Sequence, residues 1–503
     1  MAEALLRHTP ARCGLAVNPA LPSDLLDQFV SSADTELCQD LAERNDLSLA
    51  HIRTLARRGG TATVVRLVQR GLLHAADVDA SDPQVGLALL EAGTAPSLWK
   101  ALAMHPEASV RAAVASIPGV PIEVSTAMVD DPVVDVVAEI ARTARLDERL
   151  AWRLAHHPHM AVRRAVAANE NAPAEVLAWL CDGGEPPAAR CPGCDGDGQP
   201  PTGMDCRGDH ASALVDLQYA LAANPATPVA VAAALAEHPT GYVRWPLTRR
   251  CDLPQHVYQR LANDPLPGIR ADVAANLAIG ETLIRDLAAD GTYDVRRGLA
   301  QNPAIPLDVL AEIASATKIG PTLLPRIASA TPDEVAAMAR SPVAALRMLV
   351  AERPDLPIEI VHTLAIDTDA KVLKAIAPNA LLDDGQLRAM VAAHGPRVIA
   401  RVARNPNCSS NLLQELSRFH PPVQKAFREI AAHPNATAPA LLACLTDHQA
   451  RRIAVQHPAM PAHAIAELLN DPDPHVAESS AASPHVPIKA MRMLMDSGQS
   501  ATS

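Results

Sequence analysis

The sequence predicts an all-α protein built as a solenoid of about 18 short two-helix repeats. Apolar residues recur at helical spacing in short stretches, and Asn-Pro or similar pairs interrupt these stretches throughout the chain. The matched positions 225, 251, 277 and 303 lie 26 residues apart. A fixed period in this range is typical of stacked units, because helices this short are not stable alone.

The clearest unit spans residues 295–314. Val295 and Leu299 lie four residues apart and give a first helix its apolar face. Pro303 ends that helix, because proline has no N–H to donate and moves the preceding residue out of the helical region. Pro306 suits the first turn of a second helix, where its missing donor is not needed. The unit therefore predicts two short helices separated by a proline turn.

The consensus of these units, Val-Arg-x-x-Val-Ala-x-Asn-Pro-x-x-Pro-x-x-x-Leu-x-x-Leu-Ala, resembles the repeat of the leucine-rich repeat variant family. The resemblance covers nearly the whole chain. It implies a HEAT-like, right-handed superhelix of alternating α- and 3₁₀-helices without β-strands. The spacing here wanders from about 24 to 28 residues, longer than the family's usual repeat.

The repeats are interrupted once. Asn169 and Asn224 occupy the same place in successive units although they lie 55 residues apart, so a Gly- and Pro-rich segment is inserted between them. The predicted order is N-terminal repeats, Cys-rich insert, C-terminal repeats and disordered tail (1–180, 181–210, 211–496 and 497–503). Several early units match poorly, as units near the end of a solenoid often do, and residues 317–342 are degenerate.

Composition limits the function classes. Aromatic residues make up only 2% of the 503 residues, and the net charge of −12 disfavours a general nucleic-acid or membrane-surface role. No stretch approaches the roughly 20 apolar residues of a membrane span, and the N-terminus lacks a signal-peptide layout. We therefore expect a cytoplasmic protein with reduced thiols and no membrane contact.

The insert is the chemically distinctive segment. Cys181, Cys191, Cys194 and Cys206 fall within 26 residues, and the Cys-Pro-Gly-Cys turn can direct two thiolates at one ion. That turn also resembles one copy of the zinc-binding repeat of the J-domain co-chaperones. We predict a four-cysteine metal site, with His210 as the alternative ligand in a Cys₃His arrangement.

Two metals remain open for this site. Some relatives in the leucine-rich repeat variant family carry a four-cysteine module holding a [4Fe–4S] cluster beside the repeats, although here the module lies within the chain. The cysteine spacing suits either that cluster or Zn²⁺. Zinc is slightly favoured on the sequence alone. The other cysteines (Cys13, Cys38, Cys251, Cys408 and Cys444) lie inside repeats and are expected to be small core residues.

One arginine recurs at the same place in successive units (Arg111, Arg163, Arg244, Arg270, Arg296 and Arg451). The favoured interpretation of this arginine ladder is structural, each guanidinium pairing with an Asp or a backbone carbonyl of a neighbour. The alternative is a basic ridge that binds phosphates.

The sequence lacks a phosphate-binding Gly loop, a nucleophile elbow and a His-Glu-x-x-His motif. We therefore expect a non-enzymatic scaffold that binds a protein partner. The metal site would have a structural or redox-sensing role. The alternative is a HEAT-like nucleic-acid-binding protein or DNA-repair-type enzyme that uses the arginine ladder.

Overall fold

The computed structural model describes residues 10–181, 211–320 and 322–499. Helices account for 64% of the chain, and the described residues contain no β-strand, which confirms the all-α prediction. None of the helices in those ranges has the length and apolar character needed to cross a bilayer. The last helix, Ile488–Gln499, extends past the end predicted at residue 496, and residues 500–503 lie outside the description.

The chain divides into two compact units. The central unit comprises His74–Lys318, and the split unit combines Met1–Leu73 with Ile319–Ser503. The boundary near residue 318 falls inside the stretch that the sequence marks as degenerate.

Helices alternate along the chain between two sets. A helices pack mainly against other A helices and end before the Asn-Pro position, whereas B helices follow the proline turn. The A helices of the central unit are Pro83–Glu91, Ala108–Ser116, Val134–Thr143, Met160–Ala168, Ala211–Ala223, Gly241–Arg244 with the 3₁₀ segment Trp245–Arg249, Pro267–Ala275 and Tyr293–Ala300. Its B helices are Trp99–Ala103 with the preceding 3₁₀ turn Pro96–Leu98, Ile122–Met128, Glu148–Ala155, Ala174–Cys181, Val229–Leu235, Gln255–Ala262, Glu281–Ala288 and Leu307–Ala316.

The split unit has the same alternation. Its A helices are 10–16, Thr35–Leu41, Gly60–Gln69, Pro325–Ala328, Ala344–Ala351, Ala370–Ile376, Ile399–Ala403 with the preceding 3₁₀ turn Gly395–Arg397, Gln424–Ala432, His448–Ala454 and Pro474–Ala482. Its B helices are Ser23–Ser32, Leu49–Arg58, Pro332–Ala339, Ile358–Ala365, Asp384–His394, Ser410–Ser417, Ala438–Cys444, Ala462–Leu468 and Ile488–Gln499.

Most described units contain two α-helices, so the alternation of α- and 3₁₀-helices implied by the family resemblance is wrong for these units. The physical reason is visible after each proline turn. Pro306 precedes Leu307–Ala316 with extended backbone, and its carbonyl accepts the Leu310 N–H at 2.9 Å, which starts an α-helical turn. The apolar stripe that includes Leu310 and Ile313 is buried against neighbouring helices.

A buried hydrogen-bond ladder joins each unit to the one before it. The Nδ2 of Asn302 donates to the carbonyls of Ala274 at 3.0 Å and Asn276 at 2.7 Å, one unit earlier. Its Oδ1 accepts the N–H of Ala304 and so closes the proline turn. Both ends of the amide are thereby satisfied inside the fold.

This asparagine ladder recurs across both units. The asparagines that donate to two carbonyls of the neighbouring unit are Asn18, Asn169, Asn224, Asn276, Asn302 and Asn405. Arginine or histidine takes this place at Arg44, Arg250, Arg353, His433 and His457, where the side chain donates to the same kind of carbonyl.

The ladder crosses the insert. Asn224 donates to the carbonyls of Ala167 at 2.7 Å and Asn169 at 2.9 Å. These are the contacts that adjacent units make elsewhere, so Asn169 and Asn224 belong to neighbouring units. The residues of the predicted insert lie outside the described ranges, so the insert itself stays a prediction.

The ladder also joins the two chain segments of the split unit. Asn18 donates to the carbonyls of Ala481 and Ser483, each at 2.7 Å, as though its unit followed theirs. Gly14 lies so close that an added Cβ would be 2.0 Å from the Glu478 carbonyl oxygen. The sequence assigns the early units to one end of a solenoid, whereas the structure stacks the first of them on the last.

Candidate functional site

The predicted metal ligands fall mostly outside the described residues. Cys181 is the half-buried last residue of the Ala174–Cys181 helix, at the point where the insert begins. Cys191, Cys194, Cys206 and His210 lie outside the description, so the four-ligand site stays a prediction. Within the described ranges, no group of three or more His, Cys, Asp or Glu residues could hold a metal ion.

The arginine ladder forms internal ion pairs. Arg244 donates Nε and Nη2 to the two carboxylate oxygens of Asp264, at 2.6 and 2.9 Å. Its Nη1 donates to the carbonyls of His238 and Pro239 at 2.7 and 2.9 Å. The hydrogen bonds that Arg244 donates to Asp264 raise the pKa of Arg244 further above its usual value. Both side chains are largely buried, so the guanidinium is held by the fold.

Most other ladder arginines repeat this pairing with an Asp twenty residues later. The further pairs are Arg111–Asp131, Arg270–Asp290, Arg347–Asp367 and Arg451–Asp471. Arg163 is buried at the same position. Arg296 instead donates to Thr317 Oγ1 and to the Asp290 carbonyl, each at 2.8 Å. Structural pairing is thus confirmed for Arg111, Arg244, Arg270, Arg296 and Arg451.

Four of the five cysteines predicted for the core follow that prediction at least in part. Cys38, Cys408 and Cys444 are buried and Cys13 is half-buried, and burial raises the pKa of Cys408 and Cys444 to about 12, which keeps both thiols protonated. The prediction is wrong for Cys251, which is exposed. The reason is its place in the turn after the ladder residue, the same place that Pro303 takes in a later unit.

The central unit contains an exposed aromatic assembly. Tyr219 on the Ala211–Ala223 helix stacks on Tyr242 of the next A helix, with ring centroids 4.3 Å apart and planes 13° apart. Together with Trp245, these rings line a cleft of about 880 Å³, which we call the aromatic cleft. Tyr219, Tyr242 and Trp245 are 36%, 49% and 42% exposed, so each ring is partly open to solvent.

Trp245 is held in place by its neighbours. Its Nε1–H donates to Asp272 Oδ2 at 2.6 Å, and its ring lies over Gly268. A Cβ at Gly268 would be 2.4 Å from Trp245 Cη2, so a larger residue there would displace the indole. The ring is therefore positioned by the fold, which lowers the ordering cost of binding a ligand.

Several polar groups of the aromatic cleft have no partner among the described residues. The hydroxyls of Tyr219 and Tyr242 make no hydrogen bond there, and the exposed guanidinium of Arg249 has no ion pair. Desolvation, followed by the negative charge of Asp216, raises the pKa of Tyr242, so its hydroxyl remains a donor at neutral pH. By contrast, Arg250 is buried and bound to Asp252 at 2.7 Å.

A second cleft of about 730 Å³, here the charged cleft, shares the tyrosine pair and extends over the two preceding A helices. Four carboxylates and two guanidinium groups line it: Asp135, Glu139, Glu170 and Asp216, with Arg142 and Arg164. Arg142 pairs with Glu139, and Arg164 lies 3.5 Å from Asp216. The two clefts thus differ in charge, the first carrying an unpaired cation and the second an excess of anions.

The sequence did not reveal this site, although a signal exists in the repeat register. Arg164, Tyr219 and Trp245 each lie five residues before a ladder residue, at one position of successive units. Aligning the units by the ladder would have shown two aromatic residues at consecutive copies of an A-helix position. Comparison of the sequence with protein-family models, and with curated proteins, finds no match to either.

Proposed function

We propose that this protein is a non-enzymatic repeat scaffold, a right-handed solenoid of about 18 units that binds a protein partner. The aromatic cleft is the partner site in this proposal. The observation that carries it is the exposed assembly of Tyr219, Tyr242 and Trp245, in a chain with only 2% aromatic residues. Exposed aromatic rings held in a fixed geometry are the side chains that contribute most to protein interfaces.

A protein partner is favoured over nucleic acid by charge. The ladder arginines use their donors inside the fold, and the charged cleft holds more carboxylates than guanidinium groups. Phosphate backbones require clusters of unpaired cations. The proposal includes a cytoplasmic location, supported by described cysteines that form no disulfide with one another.

The test compares partner capture by three forms of the full-length protein. The cleft variant combines Tyr242→Ala with Trp245→Ala, and the matched control is Tyr293→Ala, another exposed tyrosine of the central unit. Partners retained by wild type and control should be lost from the cleft variant. Each identified partner is then purified, and its Kd is measured by calorimetry. A partner that binds the cleft variant with unchanged Kd contradicts the proposal.

The metal site is a second part of the proposal. We propose that Cys181, Cys191, Cys194 and Cys206, with His210 as substitute, hold one Zn²⁺ or one [4Fe–4S] cluster in a structural or redox-sensing role. The described member supports this, because Cys181 stands half-buried at the entrance to the insert. A Gly- and Pro-rich acidic segment has little apolar surface to bury, so an ion would offset the entropy lost on ordering it.

Elemental analysis of the purified protein tests the metal. One zinc per chain in a colourless protein supports the zinc site, and iron with acid-labile sulfide in a brown protein supports the cluster. The double variant Cys191→Ser with Cys194→Ser should lose the metal, whereas Cys408→Ser should keep it. Protein that contains neither metal when prepared without chelator contradicts this part of the proposal.

A further inference from the structure

The aromatic cleft contains several hydrogen-bond donors that have no partner among the described residues. The hydroxyls of Tyr219 and Tyr242 and the guanidinium of Arg249 are free to donate. The carboxylates nearby are engaged, since Asp252 accepts from Arg250 and Asp272 accepts from Trp245. A ligand that offers carbonyl or carboxylate oxygens can therefore accept hydrogen bonds from the two hydroxyls and the guanidinium.

The apolar surface of the cleft consists of flat faces. The stacked Tyr219–Tyr242 pair and the Trp245 indole form the rings, and Pro225 and Pro246 complete the lining. Exposed aromatic rings accept the flat, rigid rings of proline, as in the aromatic-lined grooves that bind polyproline II helices. Proline also lacks an N–H, so a proline-rich segment presents more backbone acceptors than donors to the cleft.

The two clefts carry opposite charges, which favours a ligand with opposite charges at its two ends. Arg249 is the unpaired charge in the aromatic cleft, and beyond the tyrosine pair the charged cleft has two more carboxylates than guanidinium groups. A peptide lying across both clefts is complemented by an acidic residue at one end and a basic residue at the other.

Building on the proposed function, we propose that the occupant of the aromatic cleft is an extended, proline-rich peptide segment of a partner protein, flanked by one acidic and one basic residue. Its proline rings lie against Tyr219, Tyr242 and Trp245, and its carbonyls accept from the tyrosine hydroxyls. Its carboxylate pairs with Arg249. The preformed polyproline II helix and the fixed indole both reduce the entropy lost on binding.

The test uses full-length protein and capped, fluorescein-labelled peptides with four prolines, a core of roughly 12 Å in the polyproline II form. Two carry Lys and Glu at opposite ends, in either order, and two carry Lys or Glu at both ends. At least one bipolar peptide should bind more tightly than both uniformly charged ones. Replacing its prolines by Ala should weaken binding by about tenfold or more.

Variants locate the binding. Trp245→Ala should weaken the best peptide by roughly 30-fold, and Tyr242→Phe, which keeps the ring stack and removes one donor, by about fivefold. Trp245→Phe keeps an aromatic ring at this position, so binding retained by this variant shows that the loss in Trp245→Ala does not reflect unfolding. Tyr293→Ala should leave the Kd unchanged. Arg249→Gln should weaken binding of the bipolar peptide and reduce its dependence on salt.

The outcomes separate this inference from the proposed function. If no peptide binds below about 1 mM while an identified partner still requires Trp245, the inference is overturned and the function stands. If no identified partner requires the cleft, the proposed function itself is overturned. If sedimentation reveals a dimer that Trp245→Ala dissociates, the occupant is a second copy of the chain, and the peptide inference is again overturned.

Discussion

The two compact units share one framework and differ at the positions that it leaves free. In the central unit, the place five residues before the ladder residue holds Tyr219 and Trp245 in successive units. In the split unit, the described copies of this place include Met348, Ala400 and Arg428 and no aromatic residue. Backbone and asparagine ladder are common to both units, so the proposed recognition would depend on a few side chains of the A helices.

The clefts of the two units show the same contrast. The split unit has a cleft of about 350 Å³ whose described lining includes no aromatic residue and in which Glu352 is paired with an arginine. There Arg401 donates to Glu352 at 3.0 Å and to the Lys374 carbonyl at 2.9 Å. Burial raises the pKa of Glu352, and Arg401 opposes that shift. The aromatic cleft differs in its three aromatic rings, which have no counterpart among the residues that line the cleft of the split unit.

The largest expected effect tests whether the framework is common to both units. Arg244→Ala and Arg347→Ala remove equivalent buried arginines, one from each unit, and each leaves an Asp without its cation. We expect each to lower the free energy of unfolding by about 3 kcal/mol. Urea denaturation measures this, with the exposed Arg285→Ala as a control that should have no measurable effect. Losses of unfolding free energy as small as that of Arg285→Ala would show that the arginine ladder does not hold the units together.

The next prediction compares an asparagine contact between consecutive units with the asparagine contact between the two chain segments of the split unit. Asn302 and Asn18 are fully buried and each donates to two carbonyls. Either change to Ala leaves those carbonyls unpaired and should cost about 2 kcal/mol. The control, Asn263→Ala, removes an exposed side chain and should cost less than about 0.5 kcal/mol. A negligible cost for Asn18→Ala alone would mean that this contact adds no stability.

Acid should weaken the arginine pairs. The hydrogen bond from Arg270 lowers the pKa of Asp290 from 3.8 to about 2. Because the folded pKa is the lower one, the stabilisation is complete above about pH 5 and is lost as pH falls from 4 toward 2. Asp290 should contribute about 2 kcal/mol of this acid-sensitive stability. In denaturation measured against pH, Asp290→Asn should flatten the curve in that window, and an unchanged curve would exclude the pairing as its cause.

The smallest effect on stability is expected in the aromatic cleft. Trp245 is 42% exposed, so Trp245→Ala should lower the free energy of unfolding by only about 1 kcal/mol, well below the loss expected for Arg244→Ala. Gly268→Ala should displace the indole at a similar cost. Thermal denaturation of both variants beside Arg244→Ala checks this order. A loss from Trp245→Ala as large as that from Arg244→Ala would mean that the assembly stabilises the fold rather than serving recognition.

The sequence predicted those features that each unit encodes locally. Pro306 and Asn302 mark where helices begin and end, and Asn169 and Asn224, which the sequence places in successive units, are joined by a hydrogen bond. Substitution of Asn by Arg250 or His433 in the ladder was harder to predict. These side chains share only the ability to donate to a carbonyl, which a residue pattern does not express.

The candidate site depended on contacts between units. Tyr219 and Tyr242 are stacked because of the angle and register between two A helices, which the sequence of either helix does not determine. The contact of Asn18 with Ser483 was missed for a related reason, because every unit carries equivalent donors and acceptors and its sequence does not specify the neighbour. The predicted metal site remains open, since most of its residues lie outside the described ranges.

The hydrogen bonds from Asn18 to the other chain segment of the split unit bear on the order in which the protein folds. Other asparagine contacts join residues 25 to 28 apart, or up to 57 across the insert, whereas Asn18 and Ser483 are separated by 465 residues. At ribosomal rates of roughly 5–20 residues per second, the carbonyls that accept from Asn18 emerge on the order of 20–90 s after it. During vectorial synthesis the first unit must therefore wait with its stacking face unpaired, and the closing contact carries the largest loop entropy in the described ladder.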